Sequence, residues 1–185
     1  MRPRLCHICR TTPLLTLLVV AACMRPVIAE DPAPLRLTSP SFSGTIPGRY
    51  ASCPGQSNLS PALAWDAPPA ATRSFAVVVT DPDAPMGTFT HWILWNLPPE
   101  TRSLPESIPA QPQLSSGARQ GRNDFGSIGY GGPCPPGRST HRYIFAVYAL
   151  DATLDVPPGA TKPQLLRALQ GHILAAGRLI GRYPG

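Results

Sequence analysis

The residues best suited to chemistry are two aspartates and two histidines, each beside an apolar run. Asp81 and Asp83 follow the run 75–79 in the stretch Asp-Pro-Asp-Ala-Pro, where the prolines make a rigid corner. His91 opens the next apolar run, and His141 opens a third. Imidazole N–H groups donate to phosphate or carboxylate oxygens, and a carboxylate fixes an imidazole tautomer or accepts from an ammonium group. If the three runs are neighbouring strands, these side chains meet at one rim of a sheet and form a site for a small anion or zwitterion.

Apolar side chains that could wall such a site lie close to His141 in the sequence. Pro135 and Pro136 precede it, and Tyr143 shares its strand face because side chains alternate along a strand. A mostly apolar pocket with a few convergent polar groups is the usual form of a ligand site. The sequence therefore favours a binding pocket in which the histidines donate and Asp81 orients one of them.

Each of these residues also has a purely structural interpretation. A histidine at the start of a strand is more often a hydrogen-bonded structural residue than a ligand contact. Asp83 precedes Ala-Pro and can simply bond the backbone of its own turn. The sequence does not decide between these interpretations.

Catalytic and metal-binding interpretations have weaker support. Cys134 with His141 could form a nucleophile pair, but the flanking prolines provide no helix N-terminus to activate a thiol. Asp81, His91 and His141 could ligate a metal, yet no Cys or His pair in the predicted domain has the close spacing of metal ligands. We therefore predict no catalytic residue, no metal and no cofactor. Hydrolysis with Asp81 and His91 as acid–base groups ranks last among the alternatives.

The elements that must position these residues are mostly strands. Apolar runs and alternating patterns predict strands at 35–38, 63–65, 74–80, 91–96, 141–148 and 178–183. The run 74–80 is apolar on both faces, as expected for a central strand. The two-residue period places His91, Ile93 and Trp95 on one face of their strand. The segment 100–133 has no clear periodicity and predicts a long surface segment; a loop of that length in a compact domain is usually functional or else contains local structure.

One helix is predicted, near the C-terminus. Thr161 and Gln164 form a capping box at its start. Apolar residues follow at helical spacing as far as Ala176, and Gly177 is predicted to end the helix. His172 lies among the core positions of this predicted helix, so we interpret it as structural. The predicted fold class is mostly β with this one main helix.

Composition places this chain of 185 residues among folded proteins of a single domain. Apolar residues make up 43% and charged residues 14%, which favours a loop-rich β protein over a disordered chain despite 25 prolines. The net charge is +6, but four arginines precede residue 30, and without them 12 basic and 10 acidic residues remain. These form no basic run, so a nucleic-acid partner has little support.

The first 29 residues have the pattern of an export signal. Arg2 and Arg4 precede the apolar core 13–22, which is shorter than the roughly 20 apolar residues of a membrane span. Small residues before Glu30 fit cleavage after Ala29. We therefore predict a signal peptide over 1–29 and a single domain over 30–185, with an uncleaved anchor as an alternative.

A second processing site competes with the first. Val20-Ala-Ala-Cys23 resembles a bacterial lipobox, in which the lipoprotein signal ends before Cys23 and that cysteine carries a lipid. The expected location is periplasmic or secreted, or lipid-anchored in the envelope, and membrane contact is expected only through such a lipid. Cysteine usage agrees with export, because only Cys53 and Cys134 fall in the predicted domain and are candidates for one disulfide.

The chain resembles the phosphatidylethanolamine-binding protein family, also called Raf kinase inhibitor-like proteins, over roughly residues 35 to 183. Four motifs in order carry the resemblance: Asp81-Pro-Asp-Ala-Pro85, His91-Trp-Ile-Leu-Trp-Asn-Leu-Pro98, Gly132-Pro-Cys-Pro-Pro-Gly137 and His141-Arg-Tyr-Ile-Phe145. Asn58-Leu-Ser-Pro61 and Asn123-Asp-Phe-Gly126 match the bacterial branch. One departure is Cys53-Pro-Gly55, where that branch usually has Cys-Asp-Gly.

The resemblance implies a β fold with a large central sheet, a smaller sheet and few helices. It also implies a small anion pocket, whose residues in this chain are Asp81, Asp83, Pro85, His91, Pro135, Pro136, His141 and Tyr143. Family members bind phosphate-bearing head groups, and eukaryotic members bind kinases or other partners. We therefore expect an exported, non-enzymatic binding protein for a small phosphate- or carboxylate-bearing ligand. The alternative is an inhibitor or regulator of a partner kinase or protease, acting through the pocket rim and the 100–133 loop.

Overall fold

Strand-forming runs assemble into two sheets in a computed structural model of the chain, which describes residues 32–185. The predicted signal peptide over 1–29 and the alternative lipid site at Cys23 lie outside the described residues. Across 32–185, no helix has the length and apolar character needed to cross a bilayer.

Nine strands and one α-helix follow each other along residues 32–185. Their bounds are β1 Ala33–Pro34, β2 Leu37–Thr38, β3 Leu63–Trp65, β4 Ser74–Asp81, β5 Phe89–Leu97, β6 Ser103–Leu104, β7 Arg119–Gln120, β8 His141–Leu150, α1 Lys162–Leu169 and β9 Ile173–Tyr183. The large sheet has the order β1-β9-β8-β4-β5-β7, and the small sheet has the order β2-β3-β6. The predicted fold class, mostly β with a large sheet, a smaller sheet and one helix near the C-terminus, is therefore confirmed.

Strand β4 is central because both of its faces are covered. It pairs antiparallel with β5 on one side and with β8 on the other. One face packs toward the small sheet, where Trp65 of β3 lies 5.3 Å from Phe75 between ring centroids. The other face packs under α1, which buries Leu165 and Leu169 against the sheet. A strand between two apolar layers must be apolar on both faces, which accounts for the sequence of β4.

A β-bulge in β5 changes the face on which His91 lies. Val79 of β4 pairs with Trp92, but the next residue, Thr80, pairs with Thr90, so His91 is the extra residue. Its ring lies 5.0 Å from the ring of Tyr143, which belongs to the cluster that faces the small sheet. The prediction that this histidine shares a strand face with the next two odd-numbered residues is therefore wrong, because those pack under α1.

The C-terminal helix is shorter than predicted. The capping box of Thr161 and Gln164 is present, but α1 ends at Leu169, and Gly171 turns the chain at φ 80°. The predicted continuation as far as Ala176 is wrong, because residues from Ile173 onward pair with β8. The apolar residues at the start of β9 fit either a helix or a strand by their spacing alone. Their hydrogen-bonded pairing with β8 makes them a strand.

Because the helix ends early, the predictions for Gly177 and His172 are also wrong. Gly177 lies inside β9, where a Cβ would clash with the carbonyl of Leu35, so close approach of two backbones and not helix termination accounts for this glycine. His172 is exposed at the turn before β9 and hydrogen-bonds Asp151 through Nδ1 at 2.8 Å, so it is not a core residue.

The segment 100–133 is not simply a surface loop. It contains β6 and β7, and it buries Ala118, Gln120 and Tyr130. The Gln120 amide accepts from Nε1 of Trp92 at 2.7 Å and donates to two backbone carbonyls of the same segment. Buried polar groups need such partners, and this amide ties an irregular segment to the sheet where no periodicity marks it.

Candidate functional site

A cavity of about 390 Å³ opens where β4 ends and β8 begins. Seven of the eight residues predicted for the pocket line it: Asp81, Pro85, His91, Pro135, Pro136, His141 and Tyr143. The strand order β8-β4-β5 brings these residues together. His141 lies at the start of β8, Asp81 at the end of β4 and His91 near the start of β5, and these strand ends are neighbours because the three strands pair antiparallel. The eighth, Asp83, is not among the lining residues.

The floor of the cavity holds a buried carboxylate–imidazole pair. Nδ1 of His141 donates to Oδ2 of Asp81 at 2.7 Å, and both residues are almost fully buried. The other carboxylate oxygen accepts from the backbone N–H of Asp83 at 2.8 Å. The carboxylate therefore holds the Asp-Pro-Asp corner with one oxygen and orients the imidazole with the other.

His91 is fixed in a different way. Its Nδ1 donates to the carbonyl oxygen of Gly131 at 2.6 Å. The ring is held edge-on by Tyr143 and Phe125, whose ring centroids lie 5.0 and 5.4 Å away. Burial lowers the pKa of this imidazole, against the opposing influence of the Gly131 carbonyl and the Asp81 carboxylate. The neutral ring is therefore favoured near neutral pH.

The Nδ1 bonds decide what each ring can offer a ligand. A carbonyl and a carboxylate only accept, so both imidazoles carry a proton on Nδ1, and a neutral ring then has Nε2 as an acceptor. In residues 32–185 the only buried side-chain nitrogen or oxygen without a partner is Nε1 of Trp65. The Nε2 atoms of His91 and His141 have no protein partner, so they are open to solvent through the cavity. Each becomes a donor only when its ring is protonated.

Tyr143 contributes a hydroxyl that stays protonated. Burial, reinforced by the negative charge of Asp81, raises the pKa of this phenol far above its ordinary value. The residue is 1% exposed, yet it lines the cavity beside both histidines. Its O–H is therefore available to a ligand oxygen at any pH near neutrality.

A second carboxylate lies at the mouth of the cavity. Asp124 lines it, is exposed, and accepts from the backbone N–H of Thr90 at 2.6 Å. The carboxylates of Asp81 and Asp124 bring negative charge to the cavity. A fully deprotonated anion is repelled by this charge, whereas a zwitterion can place its ammonium group near the mouth and its acid group near the imidazoles.

Asp83 belongs to a contact outside the cavity. Its carboxylate accepts from the backbone N–H of Arg142 and from the guanidinium in a two-point contact, at 2.9, 2.9 and 2.6 Å. These bonds lower the pKa of the carboxyl to about 2. Asp83 therefore ties the β4–β5 corner to β8. The interpretation that its carboxylate bonds the backbone of its own turn is wrong, because that bond is made by Asp81.

The proline wall is anchored by a disulfide. Cys53 and Cys134 are bonded, as predicted, with their Cα atoms 5.0 Å apart. Cys134 itself lines the cavity and leads directly into Pro135 and Pro136. The backbone N–H of Ser52 donates to the carbonyl of Pro133 at 2.9 Å. The wall is therefore fixed to a segment about eighty residues earlier in the chain.

Several lining residues were missed by the sequence analysis. Phe89 faces the cavity from two positions before His91, and its ring lies 4.7 Å from that of Phe125. Met86 is fully exposed at the mouth, and Phe125 is 50% exposed. Phe89 could have been found from the two-residue period of strand side chains, because β5 begins at Phe89 and not at His91 as predicted. For Asp124 and Phe125 the signal was the Asn-Asp-Phe-Gly motif, from which the sequence analysis predicts no site residue.

Asn123 explains how that motif positions its neighbours. Its side-chain oxygen accepts from the backbone N–H groups of Phe125 and Ser127 at 3.1 Å each, and its amide donates to the carbonyl of Gly129 at 3.0 Å. The tight turn that results points Asp124 and Phe125 at the cavity. Among the described residues, no group of three His, Cys, Asp or Glu side chains is arranged to hold a metal ion.

Comparison with known proteins identifies relatives over most of the chain. The family model for phosphatidylethanolamine-binding protein matches residues 38–184. The UPF0098 protein of Methanothermobacter thermautotrophicus is 48% identical over 140 residues, which cover 76% of this chain and 91% of that protein. The UPF0098 protein YbhB of Escherichia coli is 43% identical over 129 residues, which cover 68% of this chain and 82% of that protein.

Two solved structures have the same fold. A phosphatidylethanolamine-binding protein homolog from Chlamydia trachomatis superposes with a TM-score of 0.72 at 41% identity, and the match covers 81% of this chain and 97% of that one. YbcL of Escherichia coli, described as a new member of the mammalian family, superposes with a TM-score of 0.74 at 33% identity, with 82% and 98% covered.

Proposed function

The chain belongs to the phosphatidylethanolamine-binding protein family, and from that premise we propose that it is a non-enzymatic binding protein whose cavity takes a small phosphate- or carboxylate-bearing head group. The observation that carries the proposal is the pair of imidazoles, each held through Nδ1, with both Nε2 atoms open to one cavity. Two fixed rings that converge on one space suit recognition of an acid group with two or more oxygens.

The ligand and the site share protons in this proposal. A phosphate group that still carries a proton donates it to one neutral Nε2, and a protonated second ring donates to a charged oxygen. Tyr143 adds a donor, since its phenol stays protonated. Proline and aromatic side chains supply the apolar part of the contact.

A zwitterionic head group fits better than a bare anion. Asp124 at the mouth and Asp81 at the floor give the cavity carboxylates at two depths. An ammonium group beside Asp124 offsets the repulsion that a bare anion would meet. We therefore assign Asp124 to the cationic end of the ligand and the two histidines to its acid group.

The state of the site supports binding over hydrolysis. Cys134, the candidate nucleophile considered from the sequence, has its sulfur bonded to Cys53 and so has no thiol to deprotonate. Both oxygens of Asp81 are already hydrogen-bonded to protein groups. Export is proposed as well, supported by this disulfide and by the leader-like sequence of residues 1–29.

Isothermal titration calorimetry with phosphoethanolamine and with inorganic phosphate tests the assignment. We expect His91→Ala and His141→Ala to weaken binding by about tenfold or more, since each loses a hydrogen bond to a charged group. His172→Ala is the matched control, because that histidine is exposed and bonds only Asp151. Unchanged affinity in both cavity variants, with folding intact by circular dichroism, would refute the pocket assignment.

The exposed apolar rim favours a second candidate function, regulation of a partner protein. Met86 is fully exposed and Phe125 is half-exposed at the cavity mouth. Such side chains are typical of contact surfaces in protein complexes. A pull-down from envelope extract with the wild type and with Met86→Ser/Phe125→Ser tests this. A protein that serves only to hold a ligand would retain nothing in stoichiometric amount with either.

A further inference from the structure

The half of the large sheet that α1 leaves uncovered forms a second surface, which we call the outer face. It consists of Arg142 and Ile144 on β8 and of Arg178, Ile180 and Arg182 on β9. The strand register sets Arg142 opposite Arg182 and Ile144 opposite Ile180. Cations and aliphatic side chains therefore alternate along both strands on the side away from the small sheet.

The helix extends this surface at one border. Lys162 and Leu166 of α1 line a shallow depression of about 220 Å³ together with Arg178 and Ile144. The rest of its lining consists of two small apolar and three hydroxyl-bearing residues, with no carboxylate among them: Val78, Ala146, Thr80, Thr88 and Tyr148. The depression is thus a basic and partly apolar hollow between the helix and the sheet.

Most of the positive charge on the outer face is not neutralised by the protein. Arg142 is paired with Asp83 at 2.6 Å. Lys162, Arg178 and Arg182 have no carboxylate within 4.0 Å in residues 32–185. Three cations on one side of a domain attract anionic groups, and their attraction falls with added salt.

Large aliphatic groups are exposed among these cations. Ile180 is 47% exposed and Leu166 is 40% exposed. A solvated charged face has no need of such side chains, and a surface for single-stranded nucleic acid would carry aromatic rings on which the bases stack. Cations mixed with exposed aliphatic groups match the boundary between lipid head groups and acyl chains.

We propose that the outer face docks reversibly on the surface of an anionic lipid bilayer. The cations contact anionic head groups, and Ile180 and Leu166 enter the head-group boundary. Thr88 lines both the depression on the outer face and the ligand cavity, so the β4–β5 loop lies at the same border. A docked domain therefore presents the mouth of its cavity close to the lipid, although docking itself does not depend on any ligand in the cavity.

Vesicle co-sedimentation of the full chain tests the proposal. Vesicles that contain phosphatidylglycerol should bind the protein, pure phosphatidylcholine vesicles should bind it far less, and added salt should release it. Each cation near an anionic surface strengthens binding about fivefold, so Arg178→Gln/Arg182→Gln should weaken it about 25-fold. Arg36→Gln/Arg73→Gln is the matched control, since it removes the same charge from exposed positions outside β8 and β9.

The outcomes separate the bilayer from other partners. Equal binding by the outer-face variant and the wild type would overturn the proposal, as would an equal loss in the matched control. Ile180→Ser should weaken vesicle binding but leave binding to polyglutamate unchanged. If polyglutamate binds as tightly as the vesicles and Ile180→Ser changes neither, an acidic polypeptide is the partner and the bilayer is not. Unchanged thermal unfolding of each variant excludes loss of the fold as the cause.

Discussion

Nδ1 of His141 donates to Oδ2 of Asp81 across 2.7 Å, in a pair whose side chains are only 6% and 5% exposed. The pair joins the end of β4 to the start of β8, so one carboxylate connects two strands and fixes a ring at the cavity floor. Asp81 also holds the backbone of Asp83. Loss of this carboxylate should therefore affect both the stability of the domain and its affinity for a ligand.

We expect Asp81→Asn to lower the free energy of unfolding by about 1–3 kcal/mol, because a buried donor loses its charged acceptor. Affinity for phosphoethanolamine should fall by about tenfold or more, since His141 is then less firmly held. Urea unfolding and calorimetry measure the two effects. Asp151→Asn removes the other, exposed histidine–aspartate pair and should change stability by less than about 1 kcal/mol. Equal effects of the two variants would contradict the role given to Asp81.

Acidification should act in opposite directions on stability and on binding. Burial lowers the pKa of His91, so below its unfolded-state value of 6.5 the unfolded chain binds more protons than the native one. The stability contribution is complete above that pH and is lost as the pH falls through the lower native pKa. Affinity for phosphoethanolamine should rise over the same window, because a protonated ring donates through Nε2.

Titration calorimetry between about pH 8 and about pH 5.5 measures the affinity for phosphoethanolamine, and urea unfolding over the same range measures the stability. Removing the imidazole with His91→Gln should make both the affinity and the stability less dependent on pH in that window. An affinity that stays constant across the window in the wild type would show that imidazole protonation has no part in binding. His172→Gln serves as the control for a histidine outside the cavity.

The contact between Asp83 and Arg142 should stabilise the corner only modestly. The bonds from Arg142 lower the native pKa of Asp83 from 3.8 to about 2. The contribution of this carboxylate to the free energy of unfolding is therefore present above its unfolded-state pKa of 3.8 and is lost as the pH falls through about 2. Because both side chains are partly exposed, we expect Asp83→Asn to cost less than about 1 kcal/mol at neutral pH. Urea unfolding should show this difference shrinking toward strongly acidic pH, and a difference that grows instead would contradict it.

Reduction of the disulfide should destabilise the domain strongly. Cys53 and Cys134 are 81 residues apart in the sequence, and closing a loop of that length stabilises a fold by about 4 kcal/mol in the chain-entropy account. Thermal unfolding of Cys53→Ser/Cys134→Ser measures the loss. Intact mass before and after reduction should differ by two hydrogens. Free thiols in the oxidised native protein would contradict the bond.

The strands that form the site were largely predictable from the sequence. The apolar runs of β4, β5 and β8 are too long and too hydrophobic for exposed loops, so they predict buried strands. The motifs at the ends of these strands carry the polar residues of the site. The central position of β4 followed from its two apolar faces. The convergence of Asp81, His91 and His141 on one cavity is a matter of strand order, which no local pattern contains.

Three features depend on long-range pairing and escaped the sequence analysis. The face of His91 is set by the register between Val79 and Trp92, and local alternation gives the wrong side. The end of α1 is set by competition with β8 for residues from Ile173 onward. Asp124 reaches the cavity because a turn about thirty residues beyond β5 folds back against Thr90. Each is a tertiary effect that overrides a local preference.

The bulge at His91 makes the length of β5 as important to the site as its composition. Deleting one residue there would restore regular alternation, turn the imidazole toward the side of Ile93 and leave every residue type of the motif in place. A homologous sequence could thus keep both histidines and both aspartates and still have no working cavity. Spacing between the Asp-Pro-Asp corner and Trp92, counted residue by residue, is therefore a sharper criterion for this site than the presence of the motif.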